Sequence, residues 1–133
     1  MLLVVHLHAV DTKTASKIFN RIFTEIIPND VVYVYTESEE YKEVIKQAVN
    51  LRLATTIYAS HIILVTSFQD VPEYSSKQIL FSTSYAVFRE NKSVIGAFYW
   101  KKGRIKIEFF KSRLNTYQIV LSESFEQFVV DEI

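Results

Sequence analysis

The run HIILVTS, residues 61–67, constrains the fold of this chain more than any other segment. A continuous apolar stretch of this length is typical of a β-strand covered on both faces, as in parallel sheets. It follows the β-branched and aromatic stretch VVYVY at 31–35, which predicts a strand, and an amphipathic helix predicted over 38–49. A strand, a helix and a buried strand predict a βαβ unit with a right-handed crossover. We therefore expect an α/β fold with a mostly parallel sheet.

Other segments complete the sheet and its covering helices. Apolar residues at helical spacing predict an opening helix over 14–27, and Ser122 caps a predicted closing helix at 122–130. Short strands are expected at 51–57 and 79–83, and residues 68–77 are typical of a loop with one helical turn. We expect the helices to pack on the sheet as a two-layer or three-layer sandwich within a single domain, residues 10–133.

Residues 94–110 predict an antiparallel hairpin that extends the sheet. The segments SVIGAFYW and RIKIEFF flank the loop KKG, and the position of Gly103 favours a type I turn closed by a glycine bulge. The bulged register sets Trp100 across from Arg104. A two-residue turn sets Trp100 across from Ile105 and buries it, and the sequence leaves both registers open.

Only two glycines occur in the chain, Gly96 and Gly103, and we assign both to structural turns. Their separation excludes a dinucleotide-binding fingerprint, a Walker A loop and a nucleophile elbow, which all need glycines at closer fixed spacings. The chain also lacks cysteine, which excludes thiol catalysis, thiolate zinc sites and iron–sulfur clusters. We therefore expect no cofactor.

The hairpin carries the strongest local charge of the chain. Lys+Arg and Asp+Glu both number 15 overall, yet residues 101–113 hold six cations and one acid among aromatic residues. Basic aromatic strands can bind single-stranded nucleic acid, which we keep as an alternative function. Because the chain is neutral overall, we favour a solvated hairpin face and expect no nucleic acid, while an acidic protein or another anionic ligand would suit the same patch. The candidate contact residues are Trp100, Lys101, Lys102, Arg104 and Lys106.

Two histidines open the chain in the stretch MLLVVHLHAVD. On a strand, His6 and His8 would share a face and could chelate one ion, so a small metal-dependent hydrolase is the enzymatic alternative. A catalytic site needs further ligands, and barrel hydrolases that begin this way are roughly twice as long. Residues 1–9 also fit an edge strand, or the remnant of an export signal ending at Ala9. We favour a chain without a metal site, and we expect His61 to be structural.

From residue 60 onward the order of segments resembles the YfiR-like family of small periplasmic proteins. The strand SHIILVTS is followed by KQILFSTSY, by VIGAFYWKKGRIKIEFFKSRL and by IVLSESFEQF. These are similar to the family's two strands, its glycine-containing hairpin and its final helix. Gly96, Gly103, Arg104 and Phe109 carry the resemblance, while one glycine stands where the family often has two.

The resemblance implies a regulatory function. The named member of the family is a periplasmic repressor that restrains a membrane-bound diguanylate cyclase. For this chain it implies a non-enzymatic, exported module with a protein partner, such as a membrane-bound signalling enzyme, and a periplasmic location, with the cytoplasm as the alternative. We also expect a homodimer, because an aromatic sheet edge invites pairing. No segment approaches the roughly 20 apolar residues that cross a bilayer, so we expect no transmembrane segment.

Overall fold

The computed structural model describes residues 11–73 and 77–132. Within these ranges the helices and strands follow in the order α1 (Thr12–Ile26), β1 (Val32–Thr36), α2 (Glu39–Lys46), β2 (Leu51–Leu53), β3 (Ile62–Val65), β4 (Ile79–Ser82), α3 (Tyr85–Glu90), β5 (Val94–Lys101), β6 (Arg104–Phe110), α4 (Lys111–Thr116) and β7 (Val129–Val130). Short 3₁₀ helices form at Ile57–Ala59, Phe68–Asp70 and Glu123–Phe128. None of the helices in the described part of the chain combines the length and apolar character needed to cross a membrane.

All seven strands form one sheet in the order β2-β1-β3-β4-β5-β6-β7. Neighbouring strands from β2 to β5 are parallel, β5 and β6 are antiparallel, and β7 is parallel to β6. This confirms the predicted α/β fold, with a mostly parallel sheet, a C-terminal antiparallel hairpin and helices packed on the sheet. The order 2-1-3-4-5 of the parallel strands is that of flavodoxin-like doubly wound folds.

The two faces of the sheet carry separate hydrophobic cores. Along β3, Ile62 and Leu64 belong to the core under α1 and α2, while Ile63 and Val65 belong to the core under α3. All four side chains are at most 2% exposed. The four residues IILV of this run are apolar without interruption because helices cover both faces of the strand. We refer to these faces as the α1 face and the α3 face.

Helix α1 supplies the largest part of the first core. The Asp11 carboxylate accepts hydrogen bonds from the backbone N–H and the hydroxyl of Thr14, at 3.3 and 2.8 Å. This cap starts the helix two residues before the predicted position. Phe19 lies at the centre of the buried stripe, with its ring centroid 4.8 Å from that of Phe98 and 6.1 Å from that of Phe81. These aromatic contacts fix α1 across β4 and β5.

Three predicted elements differ in the structure. The closing helix predicted at 122–130 is a short 3₁₀ helix followed by β7, because Val129 and Val130 pair with the end of β6. The strand predicted at 51–57 stops at Leu53. Helix α2 leads into β2, on the far side of β1, and not directly into the buried strand β3. The predicted βαβ unit is therefore wrong in its partners, although β1 and β3 are parallel neighbours.

Two helices lie where the sequence analysis predicted none. Helix α3 begins at Ser84, whose hydroxyl accepts a hydrogen bond from the backbone N–H of Val87 at 3.3 Å. It buries Val87 and Phe88 against the α3 face. Helix α4 follows β6 without a break. Both helices have six residues, too short for a periodic pattern to stand out in the sequence.

Candidate functional site

The hairpin of β5 and β6 closes through a two-residue turn. Lys101 pairs with Arg104, and Trp100 pairs with Ile105. The glycine-bulge loop favoured by the sequence is therefore wrong, and the alternative register is present. Lys102 and Gly103 both have positive φ, 53° and 77°, as a type I′ turn requires. This turn matches the twist of the two strands and fixes every cross-strand neighbour in the hairpin.

The end of the hairpin projects beyond its neighbouring strands. The pairing of β4 with β5 stops at Ser82 and Ala97, and β7 pairs only with Phe109 and Phe110 of β6. The turn and the outer parts of both strands thus form a two-stranded ribbon. A ribbon of this kind presents side chains to a partner more openly than the middle of a sheet does.

The register sorts the predicted contact residues onto opposite faces of the ribbon. Side chains alternate along a strand, and cross-strand partners share a face. Lys101, Arg104 and Lys106 therefore lie on the α3 face, whereas Trp100 and Ile105 lie on the α1 face. The structure brings three of the predicted cations together and separates them from the tryptophan.

We call Lys101, Lys102, Arg104 and Lys106 the cationic tip. All four side chains are exposed. Among residues 11–73 and 77–132, ion pairs form along α2 and between two residues near the C-terminus, and none of them includes the cationic tip. The charges of the tip are therefore open to solvent and to a partner.

Glu108 is the only acid within residues 101–113, and it lies beside the tip on the same face of the ribbon. Burial, followed by the nearby Glu108 carboxylate, raises the pKa of Tyr99 to about 12. Tyr99 consequently stays neutral at ordinary pH. Glu108 takes part in none of the ion pairs among residues 11–73 and 77–132, and its single charge stands against four cations, so the tip stays positive.

Arg113 belongs to the same basic segment, but it is a structural residue that the sequence analysis missed. Its side chain is 3% exposed, and its guanidinium Nη2 lies 2.8 Å from the Glu132 carboxylate. It also donates to four backbone carbonyls at the end of α3 and the start of β5, those of Phe88, Arg89, Asn91 and Val94. The guanidinium carbon lies 4.6 Å from the ring centroid of Phe110. Nothing in the sequence distinguishes this arginine from Arg104 of the tip.

Trp100 lines a crevice on the other side of the ribbon. The crevice, of about 380 Å³, lies where the parallel strands end, and residues following β1, β3 and β4 line it, among them Ser38, Thr66 and Thr83. In doubly wound folds, ligands bind at this edge of the sheet. Trp100 is 37% exposed, so the expectation that a two-residue turn buries it is wrong. It lies beyond the last pair of β4 and at an open rim, which leaves part of the ring in solvent.

Local hydrogen bonds already use several hydroxyls of the crevice. Ser38 caps α2 by accepting from the backbone N–H of Tyr41 at 3.2 Å, and Thr66 donates to the Asp70 carboxylate at 2.8 Å. Burial, followed by the charge of Glu40, raises the pKa of Tyr41 to about 12. The described residues place no histidine beside a hydroxyl here. The described lining of the crevice thus offers hydrogen bonds and an aromatic ring to a ligand, and these residues do not include a nucleophile paired with a base.

The histidines give no metal centre in the described part of the chain. His6 and His8 lie outside the described residues, and no group of three or more metal-ligating side chains occurs within 11–73 and 77–132. His61 uses Nδ1 to accept a hydrogen bond from the backbone N–H of Tyr33 at 2.9 Å. This bond ties the chain just before β3 to the neighbouring strand β1.

Gly96 lies inside β5 and not in a turn, unlike Gly103. A Cβ atom on Gly96 would lie 2.6 Å from Phe109 Cδ1 and 2.9 Å from the carbonyl oxygen of Glu108. The assignment of Gly96 to a turn is therefore wrong. Glycine is needed here because the ring of Phe109 packs directly on the opposite backbone.

Compared with family models, with curated proteins and with solved structures, this chain matches none of them. The resemblance to the YfiR-like family thus stays a prediction from the sequence. The geometry adds a separation of surfaces: exposed cations, without ion pairs among the described residues, lie on one face of the hairpin, and Trp100 lies beside a crevice on the other.

Proposed function

We propose that this chain is a non-enzymatic regulatory module that acts by contacting another protein through the cationic tip. The observation that carries this proposal is the projecting ribbon, on which four exposed cations have no ion-pair partner among the described residues. The sequence resemblance to YfiR-like proteins supplies the setting, which is export to the periplasm and a membrane-bound signalling enzyme as the partner.

The charge of the tip selects an acidic partner surface. Complementary charges across an interface mainly speed association and exclude wrong partners, and exposed cations at a rim contribute to both. Because the chain as a whole is neutral, attraction is confined to this end of the molecule. A partner is therefore drawn to the ribbon and oriented by it.

The separation of Trp100 from the cations on the ribbon favours a protein partner over single-stranded nucleic acid. Nucleic-acid binding on a strand surface combines phosphate neutralisation with base stacking on aromatic rings. Trp100 lies on the face opposite Lys101, Arg104 and Lys106, so one strand of nucleic acid could not use both. The metal-dependent hydrolase alternative rests on His6 and His8, and metal analysis of chelator-free protein and of the His6→Ala/His8→Ala variant decides it.

A second copy of the chain is the other partner predicted from the sequence. The prediction rests on an aromatic sheet edge, and the hairpin offers the outer side of β6, which carries Arg104 and Lys106. Like charges directly opposite each other destabilise strand pairs. This charge pattern favours a different, acidic protein over a second copy, and the oligomeric state measured by sedimentation at low and high salt tests the choice.

Site-specific photocrosslinking in the source cell tests the proposal. A photoreactive amino acid is placed at position 102 or 104 on the ribbon, and at position 47 just after α2 as the matched exposed control. We expect an envelope-associated adduct from positions 102 and 104 only, lost when Arg104→Glu and Lys106→Glu are introduced together. An adduct formed equally from position 47, or none from the ribbon, would contradict the proposal.

A further inference from the structure

The outer edge of β6 is open along the ribbon. Strand β6 runs from Arg104 to Phe110, but β7 covers only its last two residues. The residues that precede β7 form the 3₁₀ helix Glu123–Phe128 and do not continue the strand. No described strand pairs with the outer side of residues 104–108.

The register shows which backbone groups this edge presents. In a two-residue hairpin the pair that flanks the turn is hydrogen-bonded, and bonded pairs then alternate along the strands. Arg104, Lys106 and Glu108 therefore direct their N–H and C=O groups towards β5. Ile105 and Ile107 direct theirs outward, as Phe109 does towards β7. The outward groups continue the line that β7 already uses.

An apolar groove of about 480 Å³ lies beside this edge on the α1 face. Its floor is formed by apolar side chains from α1, β6 and the 3₁₀ helix, which are Ile18, Ile22, Ile107, Phe125 and Phe128. Lys17 and Arg21 of α1 also line it, and no aspartate or glutamate does. A strand placed along β6 would therefore point alternate side chains into an apolar groove bordered by cations.

On the opposite face, the open part of the strand carries Arg104 and Lys106 and, next to β7, Glu108. Side chains of an added strand that point to the α3 face would lie beside Arg104 and Lys106. Cross-strand pairs of opposite charge stabilise a sheet. The two faces together select an extended segment in which apolar residues alternate with acidic ones.

We infer that the partner of this chain docks by strand addition, laying an extended acidic–apolar segment along the outer edge of β6. The inference rests on the proposed function and specifies its contact. Backbone hydrogen bonds to Ile105 and Ile107 bind the segment, and the side-chain pockets on the two faces determine its specificity. A second copy of β6 is a poorer occupant, because two such edges bring four cations to one face against only two Glu108 carboxylates.

Amide hydrogen exchange of the isotopically labelled full chain, measured by NMR, tests this docking with a synthetic peptide. The probe is a peptide of alternating valine and glutamate, about eight residues long, the length of an ordinary strand. Controls are a peptide of the same composition with its valines and glutamates in two blocks, and the alternating peptide with methylated backbone nitrogens. We expect the Ile105 and Ile107 amide protons to exchange rapidly in the free protein and to become protected with the alternating peptide only.

A proline variant isolates the backbone contact from the charge. Ile105→Pro removes an outward N–H while leaving the β5–β6 hydrogen bonds in place, a position where proline is tolerated in strands. We expect it to weaken peptide binding about tenfold, and Ile105→Val to bind as the parent does. Melting temperatures of both variants, together with the NMR shifts of β5, establish that the hairpin has kept its pairing.

The outcomes separate this inference from the proposed function. Equal binding of the blocked or methylated peptide, lost only on Arg104→Glu, would overturn strand addition and leave a purely electrostatic contact at the tip. Slow exchange of Ile105 and Ile107 in the free protein would also overturn it, because the edge would already be covered by a second copy or by another segment of the chain. Absence of any peptide binding would overturn the inference. The crosslinking experiment tests the proposed function independently.

Discussion

The two ends of the hairpin use the same residue type for opposite purposes. At the tip, Arg104 is exposed and has no ion-pair partner among the described residues. At the root, Arg113 is buried, paired with Glu132 and bonded to four backbone carbonyls. The two arginines are nine positions apart in one basic segment. Their difference shows that local sequence charge does not equal available surface charge.

The root is an anchor because several elements meet there. The Arg113 side chain extends from α4 to the end of α3, and it contacts the C-terminal segment through the Glu132 carboxylate. Its donors satisfy carbonyls that the last turn of a helix leaves without partners. The tip has no comparable connection, since β4 and β7 stop short of it. We therefore expect stability to depend on the root and binding to depend on the tip.

Replacing the two arginines gives the largest expected contrast. Arg113→Ala should lower the free energy of unfolding by about 3–5 kcal/mol, because it leaves a partly buried carboxylate and several carbonyls unpaired. Arg104→Ala should change it by less than about 0.5 kcal/mol, as is usual for exposed positions. Urea unfolding monitored by circular dichroism measures both.

A lysine control separates charge from geometry at the root. Arg113→Lys keeps the positive charge but cannot spread donors over several carbonyls as a guanidinium does. We expect it to recover only part of the stability lost in Arg113→Ala. Equal stability of the lysine variant and the parent would show that the charge pair with Glu132 alone matters, and would contradict the anchor.

The glycines give the second contrast between root and tip. Gly96→Ala should cost about 1–3 kcal/mol, because its Cβ would overlap Phe109 and the strands would have to shift. Gly103→Ala should cost about 1 kcal/mol, since the space around it is open and only its positive φ resists a side chain. A larger loss at Gly103 than at Gly96 in thermal unfolding would show that the root is not closely packed.

Third comes the pH dependence of the root. The Arg113 guanidinium, with help from Ser112, holds the pKa of Glu132 below its ordinary range. A lowered pKa in the folded state means that this carboxylate stabilises the fold above the ordinary range and loses that effect as the pH falls through the lowered value. We expect Glu132→Gln to be less stable than the parent at pH 7, and the gap to close in acid. Unfolding free energies measured from pH 7 to pH 3 test this, and a constant gap would contradict it.

The sequence predicted the frame of the fold better than its surfaces. Apolar periodicity identified α1, β1, β3 and the hairpin, because burial on one or both faces leaves a direct trace in residue order. The capping residue Ser84, followed by Val87 and Phe88, is the one local pattern in the sequence that indicates α3. The role of Arg113 left no trace, because its partners come from residues 88–94 and 132 and meet only in the folded chain.

The candidate site shows the same division. All five predicted contact residues lie on the ribbon, but the register that separates Trp100 from three of the cations depends on a single residue of turn length. The spacing of Gly103 favoured the bulged loop, whereas the structure places Lys102 at positive φ. A lysine is uncommon in that conformation, so residue type did not point to positive φ at this position.

The smallest expected effect concerns this strained lysine at the tip. Type I′ turns strongly prefer asparagine before glycine, so Lys102→Asn should stabilise the hairpin by about 0.5 kcal/mol, while Lys102→Val should destabilise it. The same change removes one charge of the tip and should weaken binding of the acidic peptide. Stability and binding would then move in opposite directions at one position, as expected where a functional residue occupies a conformation that suits it poorly. Chemical unfolding with peptide titration measures both, and a loss of stability in Lys102→Asn would favour the bulged loop over the two-residue turn.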